Sequence, residues 1–152
     1  MVCLGNICRS PIADGLLRHK VALEKLPITV DSAGTSAQHI GESPDYRMQL
    51  VAKKNGVPID YLLARQFEAT DFDEFDIIYA MDESNFKNIL QKARTSDDIN
   101  KVRFFLNELY PGENRNVPDP YFGGEQGFVE VFNMVDQTTS EIITKFKSST
   151  LL

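Results

Sequence analysis

The chain has little of what would place it outside a reducing, aqueous compartment. Only two of its 152 residues are cysteine. Both of them, Cys3 and Cys8, fall in one short segment, so no disulfide framework of the kind that staples small secreted domains can be drawn. No apolar run approaches the roughly 20 residues of a membrane span, and the N-terminus lacks the basic region and apolar stretch of a secretory signal. Basic charge is also in short supply: 16 Lys and Arg stand against 22 Asp and Glu, for a formal net charge of −6. That balance argues against a general binder of nucleic acid or anionic membrane, and any affinity for phosphate has to be built locally. Internal repeats, low-complexity tracts and a convincing linker are missing too. The expectation is a cytoplasmic protein with neither nucleic acid nor membrane as partner.

What is present suits one globular domain over residues 1–152, with 42% hydrophobic and 25% charged residues. Ser10 reads as an N-cap and Pro11 as the first position of a helix running to about Glu24, with Ile12, Ala13, Leu16, Leu17, Val21 and Leu23 at helical spacing. Ile28-Thr29-Val30 reads as a short strand leading into a polar loop from Asp31 to Glu42. Ser43-Pro44 starts the next helix, which Gly56 and Pro58 stop. Phe75 to Met81 suits a buried parallel strand. A helix from about Ser84 to Ala93, a strand from Val102 to Leu106 and a long final helix from about Gln126 to Lys147 follow. Strands alternating with helices predict an α/β fold, a single three-layer domain with a short parallel sheet and helices on both faces. The acidic cluster Asp71, Asp73, Glu74 and Asp76 reads as a solvated helix start, and His19 and His39 as surface residues without a motif around them.

The most telling segment is Cys3-Leu4-Gly5-Asn6-Ile7-Cys8-Arg9-Ser10. A loop of this length between a strand and a helix can turn its backbone N–H groups onto one point, to which the helix adds the positive end of its dipole. A cysteine in such a nest beside Arg9 is expected to be a thiolate near neutral pH, because thiols at helix N-termini next to cations fall to pKa values of roughly 3.5–7.5. The segment is therefore an oxyanion cradle with a nucleophile at its floor.

Together with Pro11-Ile12-Ala13, this segment resembles the low-molecular-weight protein tyrosine phosphatases. The resemblance continues, in order, through Asp31-Ser32-Ala33-Gly34-Thr35-Ser36, Gly41, Pro44-Asp45-Tyr46-Arg47, Ala64-Arg65-Gln66, Ala80-Met81-Asp82-Glu83-Ser84-Asn85 and Asp119-Pro120-Tyr121. It implies a four-stranded sheet and hydrolysis of phosphotyrosine monoesters in protein substrates through a phosphocysteine. In that reading Cys3 is the nucleophile and Arg9 the fork on two phosphate oxygens. Amides of Leu4, Gly5, Asn6, Ile7, Cys8, Arg9 and Ser10 cradle the phosphate, and Asp119 serves as acid and then base. Asn6, Ser10 and Ser32 are expected to support the loop. Ile7, Gln38, Tyr121 and Phe122 are expected around the substrate ring, although Tyr121 and Phe122 also read as ordinary core aromatics. The resemblance further implies that Cys8 can form a disulfide with the nucleophile; a small buried packing residue is the other reading. No metal or organic cofactor is expected.

Three departures stand out. Gln38 occupies a position where many family members carry an aromatic residue. The histidine often found shortly before Ala-Arg-Gln is replaced by Asp60-Tyr61-Leu62-Leu63, with spacing that differs by one, so support of the loop through Asn6 has to be arranged differently. Only Met1-Val2 precede Cys3, so the first central strand reads as largely missing and Met1 as an internal methionine of a longer chain. Such a loss would remove roughly four or five buried side chains, each worth about 1.5–3 kcal/mol. That is comparable to the total stability of a domain, about 5–15 kcal/mol.

Within the same fold an arsenate reductase and a protein-arginine phosphatase are alternatives. The first needs two further relay cysteines where only Cys8 is present, and the second resembles a loop with Thr in place of Ile7. A non-catalytic phosphotyrosine-binding module is the alternative of another class, against which Asp119 argues.

Overall fold

The strands are short and apolar on both sides, the composition of a parallel sheet buried between two helical layers. The computed structural model describes residues 1–152 and contains four strands: β1 (Val2–Cys3), β2 (Ala33–Gly34), β3 (Ile78–Ala80) and β4 (Val102–Phe104). All pairings are parallel and the order is β2-β1-β3-β4. The helices are α1 (Arg9–Glu24), α2 (Tyr46–Lys54), α3 (Asp71–Glu74), α4 (Glu83–Leu90), α5 (Ser96–Asn100) and α6 (Glu125–Lys147), with a 3₁₀ turn at Phe105–Glu108. Side chains alternate across the sheet as the pleat requires. Val2, Ala33, Ile78, Ala80 and Val102 face a cluster with Phe67, Phe72 and Ile89. Cys3, Tyr79 and Met81 face the larger core, where α1 packs on α6 through residues such as Ile12, Leu16, Phe128, Val135 and Ile142.

β1 is only two residues long, yet it holds the central place. Val2 pairs with Ala33 on one side and Ala80 on the other, and Cys3 pairs with Gly34. Met1 O accepts from Ala33 N at 3.0 Å and Val2 O accepts from Met81 N at 3.0 Å. The chain therefore leaves β1 at a switch point, with β2 on one side and β3 on the other. In α/β sheets this crevice, beyond the carboxyl ends of the strands, is where sites form. A cavity of about 280 Å³ lies near the other end of the sheet, lined by Met1, Val30, Ile78, Tyr79 and Ile142 among others, and none of the residues from Cys3 to Ser10 reaches it.

Several local expectations are corrected. The strand beside β1 is Ala33–Gly34, and Ile28–Val30 is irregular. The reason is close approach: a Cβ at Gly34 would lie 2.7 Å from Leu4 O, so only a bare backbone can run against the segment after β1. Helix α1 starts at Arg9, its N-cap is Cys8 and no side chain caps it, so Ser10 is not the cap. Asp45, whose carboxylate accepts from Arg47 N, caps α2, and this helix begins at Tyr46. β4 stops at Phe104, where the chain winds into the 3₁₀ turn. Asp71 is not solvated; it is buried and takes a two-pronged contact from Arg65 at 3.0 Å on each oxygen.

A second buried carboxylate, Glu108, joins the 3₁₀ turn to β3, β4 and α6. It accepts from Tyr79 Oη at 2.8 Å, Arg103 Nη1 at 3.2 Å and Lys145 Nζ at 2.9 Å. Burial alone would raise its pKa, but Lys145, Tyr79 and Arg103 outweigh burial and hold it below the ordinary glutamate value. A depressed folded-state pKa contributes stability above the unfolded value, about 4.3 for Glu, and that contribution is lost as pH falls through the folded value. Glu108→Gln is therefore expected to destabilise the fold at pH 7 by about 1–3 kcal/mol. The gap to the wild type should narrow as pH drops below about 4.3, measured by denaturant unfolding across pH. A gap independent of pH would contradict this.

Candidate active site

The segment from Leu4 to Cys8 curls between β1 and α1 because one residue takes a left-handed backbone: Asn6, with φ 56°. Asn tolerates this region better than most residues, and here both ends of its amide are used. Asn6 Nδ2 donates to Ser10 Oγ at 2.7 Å and Asn6 Oδ1 accepts from Arg65 N at 3.1 Å. The support expected from a histidine near this position is thus supplied by a backbone amide. Further pins hold the outside of the curl: Thr35 N donates to Cys3 O at 2.9 Å, Ser36 N to Leu4 O at 3.0 Å and Asp45 N to Ile7 O at 2.7 Å. Because no side chain caps α1, the first-turn N–H groups of this helix are left for an anion.

Cys3 sits at the floor of the curl, 3% exposed. Its Sγ accepts from Asn6 N at 3.3 Å and lies 3.0 Å from Ser10 Oγ. Ser10 Oγ accepts from Asn6 Nδ2 and stands between two groups, donating to Ala33 O at 3.4 Å and lying 3.0 Å from the sulfur, where a thiolate would draw its proton. Ser10 is the second residue of α1, past the cap position, and its hydroxyl sits beside the sulfur.

Arg9 is 2% exposed. Its Nη1 donates to Asp82 Oδ2 at 2.6 Å and Val117 O at 3.0 Å, and its Nη2 reaches Asp119 Oδ2 at 3.5 Å. Burial would lower the guanidinium pKa, but Cys3, Asp82 and Asp119 together raise it. The group is a fixed cation whose plane is set by Asp82. Asp82 is doubly employed, since its other oxygen caps α4 through Asn85 N at 2.7 Å.

Asp119 lies 110 residues after Arg9. Its approach is set by Val117, whose N–H donates to Met81 O at 2.7 Å and whose carbonyl accepts from Arg9. Pro118 and Pro120 then restrict the backbone on either side. Tyr121 N donates to Asp119 Oδ1 at 3.1 Å. The carboxylate is about a third exposed, at the open end of the site.

Around the rim, Ile7 is buried and Tyr121 is 38% exposed, with its ring edge-on to Phe122. Phe122 is 92% exposed, so it is not a core aromatic. Gln38 is exposed. Ser32 does not reach the curl: its Oγ donates to Asp14 Oδ2 at 2.8 Å, bracing α1. Cys8 is buried and, like Cys3, a free thiol; burial, then Asp45, Cys3 and Asp119, push its pKa up. His39 is not a detached surface residue either. Its ring packs on Gly5, where an added Cβ would lie 2.9 Å from His39 Cδ2, and its Nδ1 is 2.7 Å from Glu42.

Cys3, Asn6, Arg9, Ser10 and Asp119 are thus brought together, while Ser32 bonds to Asp14 instead. Asp82, Asp45 and Arg47 are functional-site neighbours to which the sequence reading assigned no role. The acidic residue directly after the apolar β3 run was the available signal for Asp82, since that is where an α/β sheet presents its crevice. The arrangement can hold a tetrahedral oxyanion against amides and a guanidinium, with sulfur below it and a carboxyl above.

The chain is similar to known proteins over nearly its whole length. The family model described as low molecular weight phosphotyrosine protein phosphatase matches residues 1–150. A low molecular weight phosphotyrosine protein phosphatase of Schizosaccharomyces pombe is 44% identical over 134 residues, covering 86% of this chain and 85% of the relative. A protein tyrosine phosphatase from Entamoeba histolytica superposes with a TM-score of 0.89 at 34% identity, covering 97% of this chain and 95% of that one. A drosophila arginine phosphatase gives 0.88 at 32% identity, with 96% and 95% covered.

The left-handed turn at Asn6 is separable from its hydrogen bonds. Asn6→Gly removes only the bonds, whereas Asn6→Ala also incurs the left-handed penalty of roughly 1–2 kcal/mol. Calorimetric titration with inorganic phosphate is expected to rank the wild type tightest, then Gly, then Ala, the last two separated by about 5- to 30-fold. Equal affinities would contradict the role given to Asn6.

Proposed function

This chain belongs to the low molecular weight phosphotyrosine protein phosphatase family, and from that premise we propose that it hydrolyses protein phosphotyrosine through a phosphocysteine on Cys3. The observation that carries the reading is the contact of one buried guanidinium, Arg9, with Asp119, beside the curl that has Cys3 Sγ at its floor.

The geometry supports the following reaction. The Cys3 thiolate attacks phosphorus as the aryl oxygen departs, and the Asp119 carboxyl delivers its proton to that oxygen. Charge gathering on the equatorial oxygens meets the amides from Leu4 to Ser10 and the Arg9 fork, all in place beforehand. Water then attacks the phosphocysteine, Asp119 takes its proton, and inorganic phosphate leaves as the thiolate is restored. The Ser10 hydroxyl, 3.0 Å from Sγ, stabilises the sulfur as it departs from phosphorus.

Ile7 and the rim pair Tyr121 and Phe122 favour an aromatic ester, since a phenyl ring can lie against them. The structural likeness to an arginine phosphatase supports a second reading, hydrolysis of protein phosphoarginine. A reducing compartment such as the cytoplasm suits this chemistry, because Cys3 acts only as a free thiol.

Two measurements test the proposal. A panel of peptides is expected to give turnover with phosphotyrosine well above that with phosphoserine or phosphoarginine; preference for phosphoarginine would install the second reading. Asp119→Ala is expected to lower kcat/KM for phenyl phosphate by about 10²–10⁴-fold, with much less effect on dinitrophenyl phosphate, whose leaving group needs no proton. Equal losses on both esters would remove Asp119 as the acid.

A further inference from the structure

Asp119 has an anchor that its own loop does not provide. Arg47, on the first turn of α2, grips Asp45 with two prongs, Nε to Oδ1 at 3.1 Å and Nη2 to Oδ2 at 2.9 Å. The same Nη2 donates to Tyr121 O at 3.0 Å. Its guanidinium carbon lies 4.5 Å from the ring centroid of Phe128 on α6 and 5.5 Å from that of Tyr121. At the two ends of this chain of contacts stand the halves of the site. Asp45 N donates to Ile7 O in the curl at 2.7 Å, and Tyr121 N donates to Asp119 Oδ1 at 3.1 Å.

We propose that Arg47 is a positioning residue for proton transfer: it ties the loop carrying Asp119 to the phosphate curl, so that carboxyl and sulfur keep one spacing. The inference rests on the phosphatase reading above. The fork geometry is what the role requires, because one planar group satisfies a carboxylate, a carbonyl and two aromatic faces at once. A lysine in its place has no fork for both carboxylate oxygens and no planar group to lie against the two rings. The Asp45 carboxyl is suited to its part: burial would raise its pKa, but the side-chain and backbone hydrogen bonds of Arg47 outweigh this and keep it charged. Without Arg47, Asp119 retains Arg9 on one oxygen and Tyr121 N on the other, but Tyr121 no longer has a fixed place.

The test is kcat/KM of the full chain on phenyl phosphate and dinitrophenyl phosphate, for Arg47→Ala and Arg47→Lys, each also made in the Asp119→Ala background. The expected result for Arg47→Ala is a loss of about tenfold on the phenyl ester, a part of the 10²–10⁴ that a general acid supplies, and less than about twofold on the dinitrophenyl ester. Arg47→Lys is expected to show a smaller loss with the same selectivity. In the Asp119→Ala background either change is expected to have almost no further effect, because the group being positioned is gone. Equal losses on both esters, or the same loss with and without Asp119, would overturn the assignment, since a merely structural role predicts both. If Arg47→Ala does not fold, the Lys variant decides by the same comparison. Turnover of neither ester by the wild type would overturn the phosphatase reading itself.

Discussion

A single residue held in the left-handed region makes the site possible. Amides can converge on one point only if the chain between strand and helix reverses tightly, and Asn6 supplies that reversal. Its side chain then does a second task, linking Ser10 on one side to the Arg65 backbone on the other. Ser10 is thereby held with its hydroxyl 3.0 Å from the Cys3 sulfur. The bare backbone of Gly34 lets β2 run close enough to brace the curl from behind. Loss of that reversal would leave the thiol in the core without an oxyanion site above it.

The second constraint is charge. Burying Arg9 is unfavourable unless the cation is paired and fully hydrogen-bonded. Asp82, Asp119 and the Val117 carbonyl pair its two Nη atoms, and they come from two parts of the chain far from Arg9 in sequence. Because Asp82 also caps α4 and Val117 bonds to the end of β3, the orientation of the guanidinium is tied to the sheet. In an acidic chain, with net charge −6, the groups suited to an anion are this buried cation and the helix terminus rather than a basic surface.

How much of this could be read from the sequence follows from the range of each interaction. The curl was legible because its parts are contiguous, and α6 because its apolar positions repeat at helical spacing over many turns; its start, expected near Gln126, is Glu125. β2 was placed too early, since the β-branched Ile28–Val30 outweighed a glycine whose value lies in contact with Leu4 O, far off in sequence. Ser10 and Asp71 were assigned from their neighbours along the chain, whereas their partners are Cys3 and Arg65 across the fold. Asp45 and Arg47 are a two-residue motif whose purpose appears only when Tyr121 is brought beside it. The segment before Cys3 raised doubt about a central strand, yet Val2 and Cys3 alone keep the register with both neighbours.

The central claim is that the Cys3 sulfur carries the phosphoryl group between substrate and water. The most direct measurement is rapid acid quenching during turnover of an aryl phosphate, followed by mass spectrometry of the peptide from Met1 to Arg9. The account predicts a phosphoryl group on Cys3 in that peptide, and neither the adduct nor turnover in Cys3→Ser. Turnover with no adduct on this peptide, or turnover that survives Cys3→Ser, would contradict it.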